Sequence, residues 1–301
     1  MHGIKRAHLS KDGRLSKIEK DAAKIIKYRR LNDTVFENKQ RELYNDKAFN
    51  ETTALLNLNP ELYSIWNYRR DILVKNKFNG LNEQELHELF QSELRFVQEQ
   101  LYKYPKCYWI WNHRIWCLNN DRLSDWLFEL KLIAKFFQAD SRNYHVWQYR
   151  RFIVECLKKT KENEKDKAEV DYDEFKFTSN MINKDISNYS AWHNRSKLIG
   201  KLFLQSPEIG VDDNDEYLRI FNNKSKLQFL KKELILVKTA FYTDPDDSSV
   251  WIYMKWLFGD YFLSEIESSD ATSLINETIS DIQELNELEL SDEGRDNQCG
   301  S

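Results

Sequence analysis

The side chains of this 301-residue protein that could do chemistry do not stand at the spacings most chemistry needs. Its six histidines, His2, His8, His87, His113, His145 and His193, make no HExxH pair and no cluster at metal-ligand spacing. There is no Walker loop and no GxGxxG motif. Cys107, Cys117, Cys156 and Cys299 are too few and too scattered for a disulfide framework, and none forms a CxxC pair, which points to a reducing, cytoplasmic setting. No segment is apolar for long enough to span a membrane, and the first residues contain no signal-peptide core. A formal net charge of −4 gives no general attraction for nucleic acid. Any chemistry must therefore rest on single side chains, placed by the elements around them.

Those elements announce themselves through a repeated phrase. It reads PELYSIWNYRR around Trp66, PKCYWIWNHR around Trp111, SRNYHVWQYRR around Trp147, ISNYSAWHNR around Trp192 and PDDSSVWIYMK around Trp251. Seventeen residues before each tryptophan the position is apolar (Phe49, Leu94, Leu130, Phe175, Leu234), and so it is ten before (Leu56, Leu101, Phe137, Ile182, Phe241). Two apolar positions seven apart mark one face of a first helix. Pro60, Pro105 and Pro245, six before the tryptophan in three copies, interrupt it. Apolar residues one before and seven after the tryptophan then mark a second helix. Nothing reads as strand.

Each copy is thus a helical hairpin that cannot bury both faces alone. The predicted fold is all-α, a right-handed superhelix (α-α solenoid) of five stacked hairpins whose tryptophans Trp66, Trp111, Trp147, Trp192 and Trp251 fill the inter-helix core. Residues 1–44 form an N-terminal segment with a leading helix, 45–262 the five repeats, and 263–301 an acidic helix and tail. The charged stretch 158–171 is a loop or a helix extension, and 205–226 is an insertion that lengthens the last interval, with loops absorbing the differences between copies.

Three residues after the tryptophan stands an arginine in the first four copies; eighteen before it stands a glutamate in the last four. That offset predicts ion pairs between successive hairpins: Arg69 with Glu93, Arg114 with Glu129, Arg150 with Glu174 and Arg195 with Glu233.

A hairpin array alone suggests a scaffold for binding. The repeat P-x-x-Y-x-x-W-N-x-R, with its glutamate eighteen residues upstream, resembles the repeats of protein prenyltransferase alpha subunits, over at least residues 45–258. The opening Met1, His2, Gly3 and the phrases NYHVWQYRRF, NYSAWH and AFYTDPDDSSVWIY are most similar to the Rab geranylgeranyl (type II) branch of that family, in its compact fungal form. The alternatives are the alpha subunit of a CaaX farnesyl or geranylgeranyl transferase and a scaffold without enzymology.

The resemblance implies a heterodimer with a beta subunit that carries the catalytic zinc and the isoprenoid pocket, leaving no metal for this chain. It implies transfer of a geranylgeranyl group from geranylgeranyl diphosphate to C-terminal cysteines of Rab GTPases presented by a Rab escort protein. On the same resemblance Lys106 and Tyr108 stand beside the diphosphate as catalytic residues, and Asn143, Tyr144 and His145 on the next repeat's turn form the neighbouring wall. Only the second copy has lysine at that position; the others have Glu61, Arg142, Ser187 and Asp246. Tyrosine three before the tryptophan recurs at Tyr63, Tyr108, Tyr144 and Tyr189, and this recurrence argues for packing. His2 is an expected autoinhibitory ligand of the partner's zinc.

Overall fold

The computed structural model describes residues 11–204, 209–210 and 214–296, with side chains from residue 18 to 290 of these. Among the described residues every regular element is helical. Two compact units divide at Asp125 and Trp126.

The first unit begins with α1 (Lys11–Gln40), which packs on the first repeat through α2 (Asp46–Leu58). That helix pairs with α3 (Tyr63–Ile72), which continues into a π-helical turn, Leu73–Lys77. The second repeat pairs α4 (Glu83–Lys103) with α5 (Tyr108–Asn120). Side-chain caps set where these helices start. Asn45 Oδ1 accepts from the Ala48 N–H, and Asn82 with Glu85 forms a reciprocal capping box, a feature that contributes about 1 kcal/mol.

The second unit holds three repeats: α6 (Trp126–Ala139) with α7 (Tyr144–Lys159), α8 (Glu164–Lys184) with α9 (Tyr189–Leu204), and, after α10 (Glu216–Asn222), α11 (Lys226–Thr243) with α12 (Ser248–Leu257). A short α13 (Asp260–Leu263) leads to α14 (Ser268–Asp296). The charged stretch 158–171 resolves into the end of α7 and an extended start of α8. There the Lys158 ammonium donates to buried Asp171 at 2.6 Å.

The apolar spacing does what it predicts. Leu56, Leu101, Phe137, Ile182 and Phe241 are buried, as are Ile65, Ile110, Val146, Ala191 and Val250. The tryptophans add a polar function that the packing argument did not contain. In all five copies the indole Nε1–H donates to the carbonyl six residues earlier: Trp66 to Pro60 (2.8 Å), Trp111 to Pro105 (2.9 Å), Trp147 to Ser141 (2.9 Å), Trp192 to Ile186 (2.6 Å) and Trp251 to Pro245 (2.7 Å). A buried indole must place its one donor, and the turn between the two helices offers a carbonyl to accept it. The bond holds each turn against its own second helix whether or not the turn contains proline.

Three of the four predicted ion pairs lie within units. Arg69 Nε and Nη2 donate to Glu93 at 2.8 and 2.7 Å, Arg150 to Glu174 at 2.8 and 2.5 Å, and Arg195 to Glu233 at 2.9 and 2.5 Å. Each guanidinium also lies on a ring, Arg69 on Phe49, Arg150 on Phe177 and Arg195 on Phe175, at 3.8, 3.4 and 3.9 Å. Arg114 and Glu129 belong to different units, and their pairing remains a proposal.

The glutamates have a second donor that the offset did not reveal. The residue two after the tryptophan reaches back to the glutamate of its own repeat: Tyr149 Oη to Glu129 and Tyr253 Oη to Glu233, both at 2.5 Å, while His113 Nε2 lies 3.2 Å from Glu93. In the fourth repeat this position is Asn194, which turns to Ser190 and Arg151 instead. The electrostatics follow. Burial opposes the charged form of Glu233, but Arg195, Tyr217 and Tyr253 outweigh it and hold the carboxyl below its ordinary range; for Glu174 burial prevails over Arg150, and the carboxyl is raised.

The insertion does more than lengthen a loop. Its helix α10 puts Phe221 edge-on to Phe175, with centroids 5.2 Å apart, and sends Tyr217 Oη to Glu233 at 2.6 Å. The acidic C-terminal helix is longer than its apolar spacing around Leu274 to Leu290 predicts. It docks on α11 through buried Leu274, Thr278 and Leu285, with Asp281 2.5 Å from the Lys238 ammonium.

Candidate functional site

The candidate residues of the first unit sit on the turn between α4 and α5. Lys106 is exposed, and Tyr108, the first residue of α5, is 46% exposed. Between them Cys107 is buried, its Sγ–H directed at the Pro60 carbonyl of the preceding repeat at 3.5 Å. The Pro105 carbonyl is held by Trp111, and the Cys107 N–H donates to Tyr104 O at 3.1 Å. Lys106 therefore projects from a turn anchored on both sides of it.

Next to Lys106 lies an aromatic surface that the sequence reading missed. The ring of Trp109, half-buried, is 5.2 Å from that of exposed Tyr63 and 5.3 Å from that of Tyr108. Trp109 has no counterpart in the other repeats, where the same position holds Ser64, His145, Ser190 and Ser249. That lack of repetition was the available signal.

The recurrent tyrosines do not pack inside the chain, contrary to the expectation. Tyr63, Tyr144 and Tyr189 are 56%, 63% and 50% exposed. Each starts the second helix of its repeat, where its side chain points away from the hairpin core.

In the second unit the corresponding turn precedes α7. Asn143 is buried at 4% exposure and caps α7, its Oδ1 accepting from the backbone N–H of His145 and Val146 at 2.9 and 3.4 Å. Asn188 and Asp247 cap at the same repeat position. Its Oδ1 is thus committed to the helix start, where it positions the turn. His145 is half-buried, with its ring 5.9 Å from that of Tyr144. Arg142, the cation at the position matching Lys106, is engaged by Asp185 through two bonds of 2.7 Å.

The buried thiols of Cys107 and Cys117 are poor nucleophiles. Burial pushes Cys107 up to about 11, and burial raises Cys117 further. Among the described residues no group of three or more His, Cys, Asp or Glu could hold a metal ion, so these residues do not fit a zinc centre. Among them, too, no helix is long and apolar enough to cross a membrane. His2 lies outside the described residues.

Residues 45–76, 90–121, 126–157, 171–202 and 230–261 each match the family model described as protein prenyltransferase alpha subunit repeat. The chain belongs to the protein prenyltransferase alpha subunit family. Among its relatives in this family is the geranylgeranyl transferase type-2 subunit alpha of Candida albicans, 40% identical over 98% of this chain and 84% of that protein. The subunit of the same description from Saccharomyces cerevisiae is 35% identical over 99% and 84%, and that from Sus scrofa 34% identical over 86% of this chain and 42% of the pig protein. A solved structure, Candida albicans protein geranylgeranyltransferase-I complexed with GGPP, shares the fold with a TM-score of 0.56 at 24% identity, over 80% of this chain and 68% of that one. As prenyltransferase alpha repeats, the matched segments start at or within the first helix of each hairpin and run through most or all of the second. They place Lys106 and Tyr108 in the second repeat and Asn143 and His145 in the third.

Proposed function

We propose that this chain is the alpha subunit of a Rab geranylgeranyltransferase, active as a heterodimer with a zinc-bearing beta subunit and serving Rab GTPases delivered by an escort protein in the cytoplasm. The observation that carries this reading is the 40% identity, over nearly the whole chain, to a type-2 subunit alpha. The site supports it. Lys106 stands exposed on an anchored turn beside three clustered aromatic rings, the composition of a surface that a partner subunit covers.

The reaction forms a bond between a substrate cysteine sulfur and C1 of geranylgeranyl diphosphate and breaks the bond from C1 to the diphosphate oxygen; the thiol proton is lost and diphosphate departs. Zinc on the beta subunit supplies the Lewis acidity that keeps the substrate sulfur a thiolate. The task left to this chain is the leaving group, on which negative charge grows toward the transition state. The Lys106 ammonium donates to that charge, and so does the Tyr108 hydroxyl. Donors aimed where charge develops raise the rate of transfer more than they tighten ground-state binding. His145 forms part of the adjoining wall. His2 would serve as a reversible ligand of the partner's zinc in the absence of substrate, and removing it is expected to relieve inhibition without changing zinc content.

Co-expression with candidate beta subunits, followed by transfer assays on proteins ending in CC or CXC and on proteins ending in CaaX, tests the assignment. Transfer to the former with an escort protein is the expected result. Transfer to CaaX ends alone would make the chain the alpha subunit of a CaaX enzyme, and failure to pair with any beta subunit would make it a scaffold.

A further inference from the structure

Cys107 occupies the position four residues before its tryptophan, and the other copies show what that position does. In the fourth repeat it is Asn188, which has no exposed surface and works in two directions. Its Oδ1 caps its own helix at Ala191 N, 3.2 Å away, and its Nδ2 donates to the Ser141 carbonyl of the preceding repeat at 2.9 Å. That carbonyl is already fixed by the Trp147 indole. The asparagine thereby ties one turn to the previous one, through an acceptor that cannot drift.

The second repeat builds the same tie with sulfur. The Cys107 thiol, 3% exposed, faces the Pro60 carbonyl at 3.5 Å, and Pro60 O is held at 2.8 Å by the Trp66 indole. The thiol remains a donor at neutral pH, because burial keeps it protonated. Sulfur is a weak acceptor, and α5 has no side-chain cap at its start. The turn with the weaker tie is the one that carries Lys106 and Tyr108.

We propose that Cys107 is a positioning residue for prenyl transfer, holding the turn that carries Lys106 and Tyr108 in register with the turn at Pro60. The inference rests on the reading of Lys106 given above. A cation that stabilises a leaving group acts through its placement, and small displacements remove much of its effect. The thiol is buried within the chain, so its loss is expected to act on the chemical step through Lys106 and to leave isoprenoid affinity in place.

The test uses the heterodimer with its zinc-bearing beta subunit, loaded with geranylgeranyl diphosphate and mixed with the Rab and escort-protein complex under single-turnover conditions. Cys107→Ala is expected to lower the rate constant about fivefold while the isoprenoid Kd and the thermal midpoint stay near wild type. Cys107→Asn, which restores the amide used at Asn188, is expected to recover the rate. Wild-type transfer by Cys107→Ala overturns the proposal, as does an equal loss in the alanine and asparagine variants. A Cys107→Ala chain that no longer assembles with its partner overturns it too, since that outcome marks a structural residue. Lys106→Ala in the same assay separates the two levels: if it transfers at the wild-type rate, the reading of the site fails, and if it alone is slow, only the role of Cys107 does.

Discussion

Arg195 and Glu233 meet through two hydrogen bonds, 2.9 and 2.5 Å long, with no exposed surface on either residue. The arginine comes from the second helix of one repeat and the glutamate from the first helix of the next, so the pair joins successive hairpins. Tyr217 and Tyr253 donate to the same carboxylate. Removing Arg195 would strand a buried negative charge among donors too weak to replace it. Arg195→Leu is expected to lower unfolding free energy by about 3 to 5 kcal/mol, measured by urea denaturation of the purified chain. A loss below about 1 kcal/mol would show the pair to be energetically idle.

Lys106 gives a prediction about rate. Lys106→Ala in the heterodimer is expected to slow single-turnover geranylgeranyl transfer by about 100-fold, while the Kd for geranylgeranyl diphosphate changes far less. A matching loss in both quantities would mean that the lysine binds the ground state and does not act on the leaving group.

Trp109 gives a prediction about assembly. It is expected to anchor the beta subunit together with Tyr63, because large aromatic rings at the edge of a functional turn are the residues that carry interface energy. Trp109→Ala should weaken association about 10- to 100-fold by calorimetric titration and leave the thermal midpoint of the isolated chain almost unchanged. Unaltered association would remove this surface from the interface.

His113 and Glu93 give a prediction about pH. Burial holds the fully buried His113 imidazole down at about 4, although the bond to Glu93 pulls the other way. Burial likewise favours the neutral form of Glu93, but His113 and Arg69 outweigh it and bring the carboxyl to about 2. For His113 the unfolded chain binds the extra proton between about 6.5 and about 4, so stability falls as pH drops through that window. For Glu93 the contribution present above about 4.5 is lost as pH falls toward about 2. His113→Tyr, copying Tyr149 and Tyr253, should flatten the stability profile in the upper window. Thermal midpoints from pH 7 to 4 for both proteins would decide it, and parallel profiles would count against the assignment.

The five hairpins were legible in the sequence because helical periodicity is local: apolar residues seven apart, and a proline six before three of the five tryptophans, need no knowledge of distant partners. The staggered arginine and glutamate were legible for a related reason. A repeat turns a contact between hairpins into an offset within one register, so Arg69 with Glu93 and Arg195 with Glu233 could be paired by counting. Burial and hydrogen-bond partnership are different in kind, since each sums over groups that the sequence does not bring together. Only the folded chain shows that Tyr63, Tyr144 and Tyr189 point outward, that Asn143 spends its oxygen on capping, and that Tyr217 of the insertion reaches Glu233. The sequence determined the hairpins, their register and Lys106 as the unrepeated lysine; the tertiary structure decided which side chains hold that lysine's turn, because the Cys107 tie to Pro60 exists only between folded neighbours.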